Sequence, residues 1–403
     1  MLDFSKPDAP RTPEQEKRRS LFFWILLGLE LAYLFRQNIS NGFEQLQMQA
    51  LRVNLPWPLL MLGWALVLPA SYLLLVFLHE AGHVVGALLT RFQILSFNVS
   101  RLHISRRASG WQVRFRKPKK GLSGMVQVLA SDSRNLRSRY ALLLVGGPSA
   151  NLLTGALALY AAYMWVPYSP PFPFTGYLLH YTLLVFGWMS VVIGTLNLLP
   201  LKLKSGHIID GKHLLHLMQG GPAMHQQLAA LQLSSLSHNG TRPRDWNATI
   251  VEKLLSNHSN SVLDCYAHYY AYCYYHDCND LEAIRLHLNE ALDRRHLAPV
   301  AFQQYILGEA AYVAALHTYD TEQARHWLNR AQEVKPYSKE EGLFARAAVA
   351  WAEGQLSEAS TWLQAARQQL AESLDVGTRT QAAERMDELQ VKIEQASLVA
   401  VSV

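Results

Sequence analysis

The sequence predicts a mainly α-helical protein with a polytopic membrane core of about four spans, a small β-hairpin and a soluble α-helical repeat domain. Two observations support this fold class. Half of the residues are hydrophobic, and the long apolar runs all lie before Pro200, whereas the remainder is rich in Ala, Gln, Glu, Arg and Leu at helical spacing. The length of 403 residues also indicates more than one domain.

The apolar runs define the predicted spans, because about 20 apolar residues are needed to cross a bilayer as a helix. The four runs cover about residues 21–35, 57–90, 141–167 and 175–200. The first is short and contains Glu30, so it is either a span or an interfacial helix. The second contains Pro69 and is either one kinked helix or a partial helix that leads into a span.

Basic residues predict the orientation of a multi-pass cell-membrane protein. Residues 91–140 contain twelve Lys or Arg residues and a single acidic residue, Asp132. Because positively charged loops remain in the cytoplasm, this loop is predicted to be cytoplasmic, together with the amino-terminal tail 1–20 and the carboxyl-terminal domain. The first run lacks a convincing small-residue cleavage site, so we expect an uncleaved anchor rather than a signal peptide.

Alternating residues within the basic loop predict a cytoplasmic β-hairpin built from residues 96–105 and 110–117. The apolar strand-like positions are Phe97, Val99, Leu102, Ile104, Trp111, Val113 and Phe115. Its positive charge suits the anionic headgroups of the lipid bilayer. Membrane topology explains the basic excess, so nucleic acid is not an expected partner.

The motif His79-Glu80-Ala81-Gly82-His83 lies inside the second apolar run. On a helix, His79 and His83 share one face and can bind one metal ion, with Glu80 placed to handle a proton. These three are the only charged or histidine side chains between Trp57 and Thr90. Such groups are costly in a membrane helix unless they have a function. The alternative is a buried helix with two hydrogen-bonded histidines.

A third ligand is predicted at Asp210, which is the only acidic residue between Asp132 and Asp245. It follows the last apolar run, where a carboxylate can return to a metal held by His79 and His83. Two histidines and one carboxylate leave the fourth position of a zinc ion open.

Three motifs in this order resemble the site-2 protease family of intramembrane zinc metalloproteases. They are His79-Glu80-Ala81-Gly82-His83, Gly146-Gly147-Pro148-Ser149-Ala150-Asn151, and Asn197-Leu198-Leu199-Pro200 followed by Asp210-Gly211. The resemblance covers about residues 57–213 and implies a membrane metalloprotease domain over residues 21–213. It implies that His79, His83 and Asp210 bind Zn²⁺, that Glu80 activates water, and that Asn151 and Asn197 line the site.

One difference from the family pattern concerns the third ligand. The family usually separates the final Asn and Asp by a shorter segment, whereas here Lys202, Lys204, Ser205, Gly206 and His207 lengthen it. His207 and His213 flank Asp210 and are alternative ligands, since imidazole also suits zinc.

The resemblance implies hydrolysis of a peptide bond in a single-span membrane protein or a remnant signal peptide. Because a transmembrane helix hides its peptide bonds, the substrate must unwind, and Gly146, Gly147 and Pro148 are expected to loosen the neighbouring helix to admit it. In the family a strand-rich element borders the substrate, and Gly124-Met125-Val126-Gln127 matches it here. Its edge is expected to take the substrate as an added strand.

After a linker at residues 214–245, residues 246–395 are predicted to form a cytoplasmic helical array. Three segments, 280–292, 321–334 and 357–370, align as second helices of hairpins. Their shared positions are Ile284, Ala324 and Ala359, then Leu288, Leu328 and Leu363, then Ala291, Ala331 and Ala366. The array resembles degenerate tetratricopeptide repeats over residues 260–372, with a plain helical bundle as the alternative. A solenoid would offer a surface for a protein partner.

The three cysteines, Cys265, Cys273 and Cys278, lie in one aromatic stretch and fit neither a standard zinc finger nor a disulfide framework. Two functions remain as alternatives to a protease. A metal-binding transporter would also use intramembrane His and Asp, and a catalytically silent scaffold would act through the helical array.

Overall fold

The computed structural model describes residues 57–107, 110–115, 123–164, 173–202, 208–258, 261–335 and 342–402. In these residues the protein is mostly helical, with one four-stranded antiparallel sheet. The chain divides into two compact units, the first formed by Met1–Ser71 and Leu157–Trp188 and the second by Tyr72–Ala156 and Met189–Val403.

Three long helices contain the apolar runs. They are α1 (Trp57–Leu89), α2 (Leu136–Met164) and α3 (Pro173–Leu198). Within them, Met61–Leu89, Leu136–Met164 and Leu178–Leu198 are long and apolar enough to cross a membrane. These three segments match three of the four predicted runs, and the first run, 21–35, lies outside the described residues. Helix α1 continues through Pro69 as a single helix.

The first unit contains one part of each apolar helix. Ala162 and Phe186 are buried there. A Cβ atom on Gly63 would lie 3.4 Å from Leu178 Cδ1, so the absence of a side chain at Gly63 leaves room for this leucine.

In the second unit, α1 and α2 approach closely at small residues. A Cβ atom on Gly82 would lie 2.7 Å from the Cβ atom of Ala150, and one on Gly86 would lie 3.0 Å from the Cα atom of Leu143. Small residues allow membrane helices to pack backbone against backbone. This contact brings the His79-Glu80 segment of α1 against the Gly146-Gly147 segment of α2.

The basic loop forms a sheet that is larger than the predicted hairpin. Its strands are β1 (Phe92–Val99), β2 (Leu102–Arg107), β3 (Gly110–Phe115) and β4 (Gly124–Ala130), in the order β3-β2-β1-β4. The prediction of a two-stranded hairpin was therefore incomplete. Strand β4, at the end of the loop, pairs with β1, at its beginning, and the register of this pairing shifts between Ile94 and Ser96. Local alternation does not show such a long-range, irregular pairing.

The carboxyl-terminal part of the second unit is helical. Its α-helices are α4 (Asp210–Gln219), α5 (Gly221–His238), α6 (Ala248–Leu254), α7 (Val262–Asp277), α8 (Leu281–Arg294), α9 (Val300–Leu316), α10 (Thr321–Glu333), α11 (Leu343–Ala352), α12 (Leu356–Ala371) and α13 (Val376–Ser402). Neighbouring helices pack as hairpins in the pairs α7–α8, α9–α10 and α11–α12. The side chain of Asp280 caps α8, and that of Asp320 caps α10.

The aligned positions of α8, α10 and α12 form part of one hydrophobic core. All nine are buried, namely Ile284, Leu288, Ala291, Ala324, Leu328, Ala331, Ala359, Leu363 and Ala366. Recurrence at i, i+4 and i+7 places each set on one helix face, which packs inward. Helix α5 connects this region to the sheet, because Ser235 Oγ donates a hydrogen bond to the carbonyl oxygen of Ala130.

Candidate metal centre

His79 and His83 lie one turn apart on α1 and point into the same space. Their Nε2 atoms are 3.2 Å apart, and both side chains are buried. Spacing of i and i+4 on a helix accounts for this arrangement. Two ring nitrogens that converge so closely need either a shared proton or a shared cation.

Asp210 reaches the histidines from the first turn of α4. A Cβ atom on Gly211 would overlap the backbone of Leu198, so glycine is needed where α4 begins against the end of α3. Lys202 and Ile208 form an antiparallel bridge, and the amide of Ile209 donates to the carbonyl oxygen of Leu201. The chain leaving α3 thus returns beside its starting point, and the longer connection does not remove Asp210 from the histidines.

The three side chains lie close enough together to bind one ion. Asp210 Oδ2 lies 3.2 Å from His79 Nε2 and 3.4 Å from His83 Nε2. Ligands about 2.0–2.1 Å from a tetrahedral ion are about 3.3 Å from one another, and all three separations match this edge length. Among the described residues, His79, His83 and Asp210 form the one cluster of this kind. The cluster could hold a metal ion.

The outer nitrogen of each imidazole has a hydrogen-bond partner. His83 Nδ1 lies 2.9 Å from the carbonyl oxygen of Leu143, to which it can only donate. Proton placement on Nδ1 leaves the Nε2 lone pair of His83 for a cation. Ligating histidines commonly have such a partner, which fixes ring orientation and tautomer.

The amide of Asn151 contacts the outer nitrogen of His79. Its Nδ2 atom lies 3.2 Å from His79 Nδ1, and its buried Oδ1 atom has no partner among the described residues. Exchanging the two amide atoms by a half-turn allows Oδ1 to accept the Nδ1 proton of His79. Asn151 then orients His79 as the Leu143 carbonyl orients His83.

Glu80 of α1 lies beside the cluster, and its carboxylate contacts the first residue of β4, Gly124. It is buried, and a Cβ atom on Gly124 would overlap the Glu80 carboxylate. A larger residue at Gly124 would therefore displace this carboxylate. The arrangement places a proton acceptor next to three potential metal ligands.

One cavity of about 850 Å³ joins these groups. Its walls come from α1, α2, α3, α4, α5, β1 and β4, and they include His79, Glu80, His83, Asn151, Asn197 and Asp210. All six residues singled out in the sequence therefore line one cavity. His213 also lines it but does not belong to the three-residue cluster, and His207 lies outside the described residues.

Burial and hydrogen bonding oppose each other at Asp210. Burial alone would raise the pKa of its carboxyl group, but hydrogen bonds donated by protons on the Nε2 atoms of His79 and His83 hold the pKa below its usual value. A bound cation would take the place of these protons. The carboxylate is thus negatively charged at neutral pH and suited to a cation. Burial lowers the pKa of His213, so this ring is neutral at the cavity wall.

Several contributions to the cavity were not found in the sequence. The Leu143 carbonyl has no side-chain signal, and Ser234 and His238 reach the cavity from α5, more than 150 residues from His79. The sequence indicated Gly147 only as a residue that loosens a helix and Gly124 only as part of a strand. The close approach of Gly147 to His79 and of Gly124 to Glu80 depends on tertiary packing.

Comparisons of the chain with protein-family models, with curated proteins and with solved structures found no match.

Proposed function

We propose that the protein is an intramembrane zinc metalloprotease of the site-2 type, which hydrolyses peptide bonds of single-span membrane proteins or remnant signal peptides. The observation that carries the proposal is the convergence of His79, His83 and Asp210 at tetrahedral separations beside Glu80. Both histidines and Glu80 belong to a helix apolar enough to cross a membrane.

Zinc is the ion that suits this ligand set best. Two imidazole nitrogens and one carboxylate oxygen are ligands that zinc takes in catalytic sites, with a fourth position left open. Bound zinc would polarise the scissile carbonyl and lower the pKa of water. Magnesium and calcium prefer sites composed of oxygen ligands, which favours zinc over either.

Glu80 is proposed as the general base. Its carboxylate lines the same cavity as the three ligands without belonging to their cluster, so it is available to take a proton from the attacking water. The same carboxyl group then donates that proton to the leaving amine, which balances the hydrolysis. The cavity is large enough to accept a segment of peptide beside Glu80.

The two asparagines are assigned different tasks. The contact between Asn151 and His79 Nδ1 supports a positioning role for Asn151. Asn197 lines the cavity from α3, and its amide is proposed to donate a hydrogen bond to the oxyanion or to the substrate backbone.

Strand β4 is proposed to receive the unwound substrate. It is an edge strand of the sheet, and residues Gly124–Val128 line the cavity. An extended peptide added to β4 would gain main-chain hydrogen bonds. Because Gly124 lies against Glu80, this strand would lead the scissile bond to the general base.

The proposed enzyme has four spans, with the first at residues 21–35, and cytoplasmic termini. In this topology the sheet and the carboxyl-terminal helices lie on the same, cytoplasmic side of the membrane. The hydrogen bond from Ser235 of α5 to Ala130 of β4 supports this placement. We further propose that residues 246–395 form a helical-repeat domain that binds a protein partner. Its consecutive packed hairpins support this.

Replacement of Glu80 tests the catalytic proposal. The protein is reconstituted in liposomes with a set of single-span segments tagged at both ends, and products are identified by mass spectrometry. Glu80→Gln should reduce cleavage by at least about a hundredfold, because it removes the proton acceptor. Zinc content should remain that of the unmodified protein.

Glu252→Gln is a matched control, since Glu252 is an exposed carboxylate on α6. It should cleave as the unmodified protein does. Normal turnover by Glu80→Gln would refute the mechanism. Zinc-dependent transport without cleavage would favour a transporter instead.

A further inference from the structure

A second cavity lies between the sheet and the carboxyl-terminal helices. Its volume is about 770 Å³, which is within the range of about 300–1,000 Å³ typical of ligand sites. Helices α9, α11, α12 and α13 form most of its wall, and Arg107 of β2 and Arg114 of β3 complete it. It shares no lining residue with the cavity of the candidate metal centre.

The cavity surface combines apolar groups with amide and hydroxyl side chains. Leu343, Phe344 and Met386 provide apolar surface, and Gln368 and Gln369 provide amides. An amide side chain can donate and accept hydrogen bonds at the same time. The main chain of an extended peptide requires both, so this surface suits a peptide better than a purely apolar ligand.

The charges at the cavity favour a negatively charged ligand. Arg107 and Arg114 come from the sheet, and the carboxylate of Glu372 is the opposing exposed charge. The other lining carboxylate, Glu309, already pairs with Arg385 at 2.8 Å and accepts a hydrogen bond from Tyr272. The charge left for a ligand is therefore positive.

Arg385 adds a buried donor to the same wall. It is only 9% exposed, and its guanidinium lies 3.8 Å from the centre of the Tyr312 ring. Its Nε atom has no hydrogen-bond partner among the described residues. Buried donors normally have a partner, and an oxygen atom of a ligand in the cavity could supply one.

We propose that this cavity binds a short acidic peptide segment of a partner protein. Arg107 and Arg114 would pair with carboxylates of the peptide, while Gln368 and Gln369 would bond its main chain. A bound peptide would contact both the sheet and the helices. This binding does not depend on the metal centre.

Peptide binding to the full-length protein in neutral detergent tests the proposal. The probe is a fluorescein-labelled peptide of alternating Glu and Ser residues, followed by fluorescence anisotropy, and a peptide with Gln in place of Glu serves as the uncharged control. The double variant Arg107→Gln/Arg114→Gln should bind the acidic probe at least about tenfold more weakly. The uncharged peptide should bind weakly to both proteins.

Arg106→Gln is the matched control, because Arg106 is exposed on the opposite face of β2 and does not line the cavity. It should change the affinity by less than about twofold. Equal weakening by Arg106→Gln would indicate a diffuse basic surface and overturn the proposal, as would unchanged affinity of the double variant. Displacement of the peptide by phosphatidylglycerol vesicles would assign the arginines to lipid and also overturn it. Glu80→Gln should bind normally, so a failed protease proposal leaves this test unaffected.

Discussion

Gly147 of α2 lies so close to His79 of α1 that a Cβ atom on Gly147 would be 2.8 Å from His79 Nε2. The same Cβ atom would overlap the ring of His83. The candidate metal centre therefore depends on a helix contact at which no side chain is tolerated. This gives the Gly146-Gly147 pair a packing role, whatever its effect on helix flexibility.

Gly147→Ala should weaken zinc binding, because the added methyl group displaces both imidazole rings from the shared centre. We expect at least about a tenfold loss of affinity, measured by competition with a chelating dye on detergent-purified protein. Gly176→Ala is the control, since a Cβ atom on Gly176 would meet open space. Equal affinities of the two variants would contradict the close packing of Gly147 against the histidines.

Asn151→Ala should weaken zinc binding by about 10–100-fold, because His79 loses the partner that orients its ring. The same dye competition measures the effect. Asn151→Asp keeps an oxygen acceptor for the His79 Nδ1 proton and should restore most of the affinity. If Asn151→Ala binds zinc as tightly as the unmodified protein, Asn151 does not position His79.

The helical region should lose stability in mild acid because of a buried histidine pair. His276 Nε2 lies 3.2 Å from His317 Nε2. Burial lowers the pKa of both rings, and the positive charge of Arg385 lowers both pKa values further. The negative charge of Glu309 raises the pKa of His317 but does not offset the effect of burial. Below pH of about 6.5 the unfolded chain then binds more protons than the folded one, so stability falls by up to about 1.4 kcal/mol per pH unit per histidine.

Thermal unfolding followed by near-ultraviolet circular dichroism at pH about 7.5, 6.5 and 5.5 measures this dependence. His317→Gln removes one titrating ring and should reduce the fall in melting temperature between the two lower pH values. His225→Gln changes an exposed histidine and should leave that fall unchanged. A pH dependence that is identical in all three proteins would refute a role for the pair.

Much of the helical architecture could be predicted because its signals are local. Apolar length predicted the three apolar helices, α1 to α3, and helical periodicity predicted the buried positions of α8, α10 and α12. The strand pairing of the sheet was harder to predict from the sequence. The pairing of β1 with β4 joins distant segments through an irregular register, and nothing in either segment alone specifies the partner.

The candidate site could likewise be predicted only where its signals are local. Spacing on one helix places His79 beside His83, and the scarcity of acidic residues drew attention to Asp210. The contacts of Asn151 with His79 and of Gly124 with Glu80 depend on how separate elements pack. The long connection before Asp210 does not reveal from its sequence that the chain returns to the histidines, because the Lys202–Ile208 bridge forms only in the folded chain.

Metal content tests directly whether His79, His83 and Asp210 bind zinc. Detergent-purified protein and its Asp210→Ala variant are compared by inductively coupled plasma mass spectrometry after dialysis against a weak chelator. We expect about one zinc ion per unmodified chain and a clear loss in the variant. Zinc retained at full strength by Asp210→Ala would exclude Asp210 as the third ligand, and absence of zinc from both proteins would contradict the metalloprotease proposal.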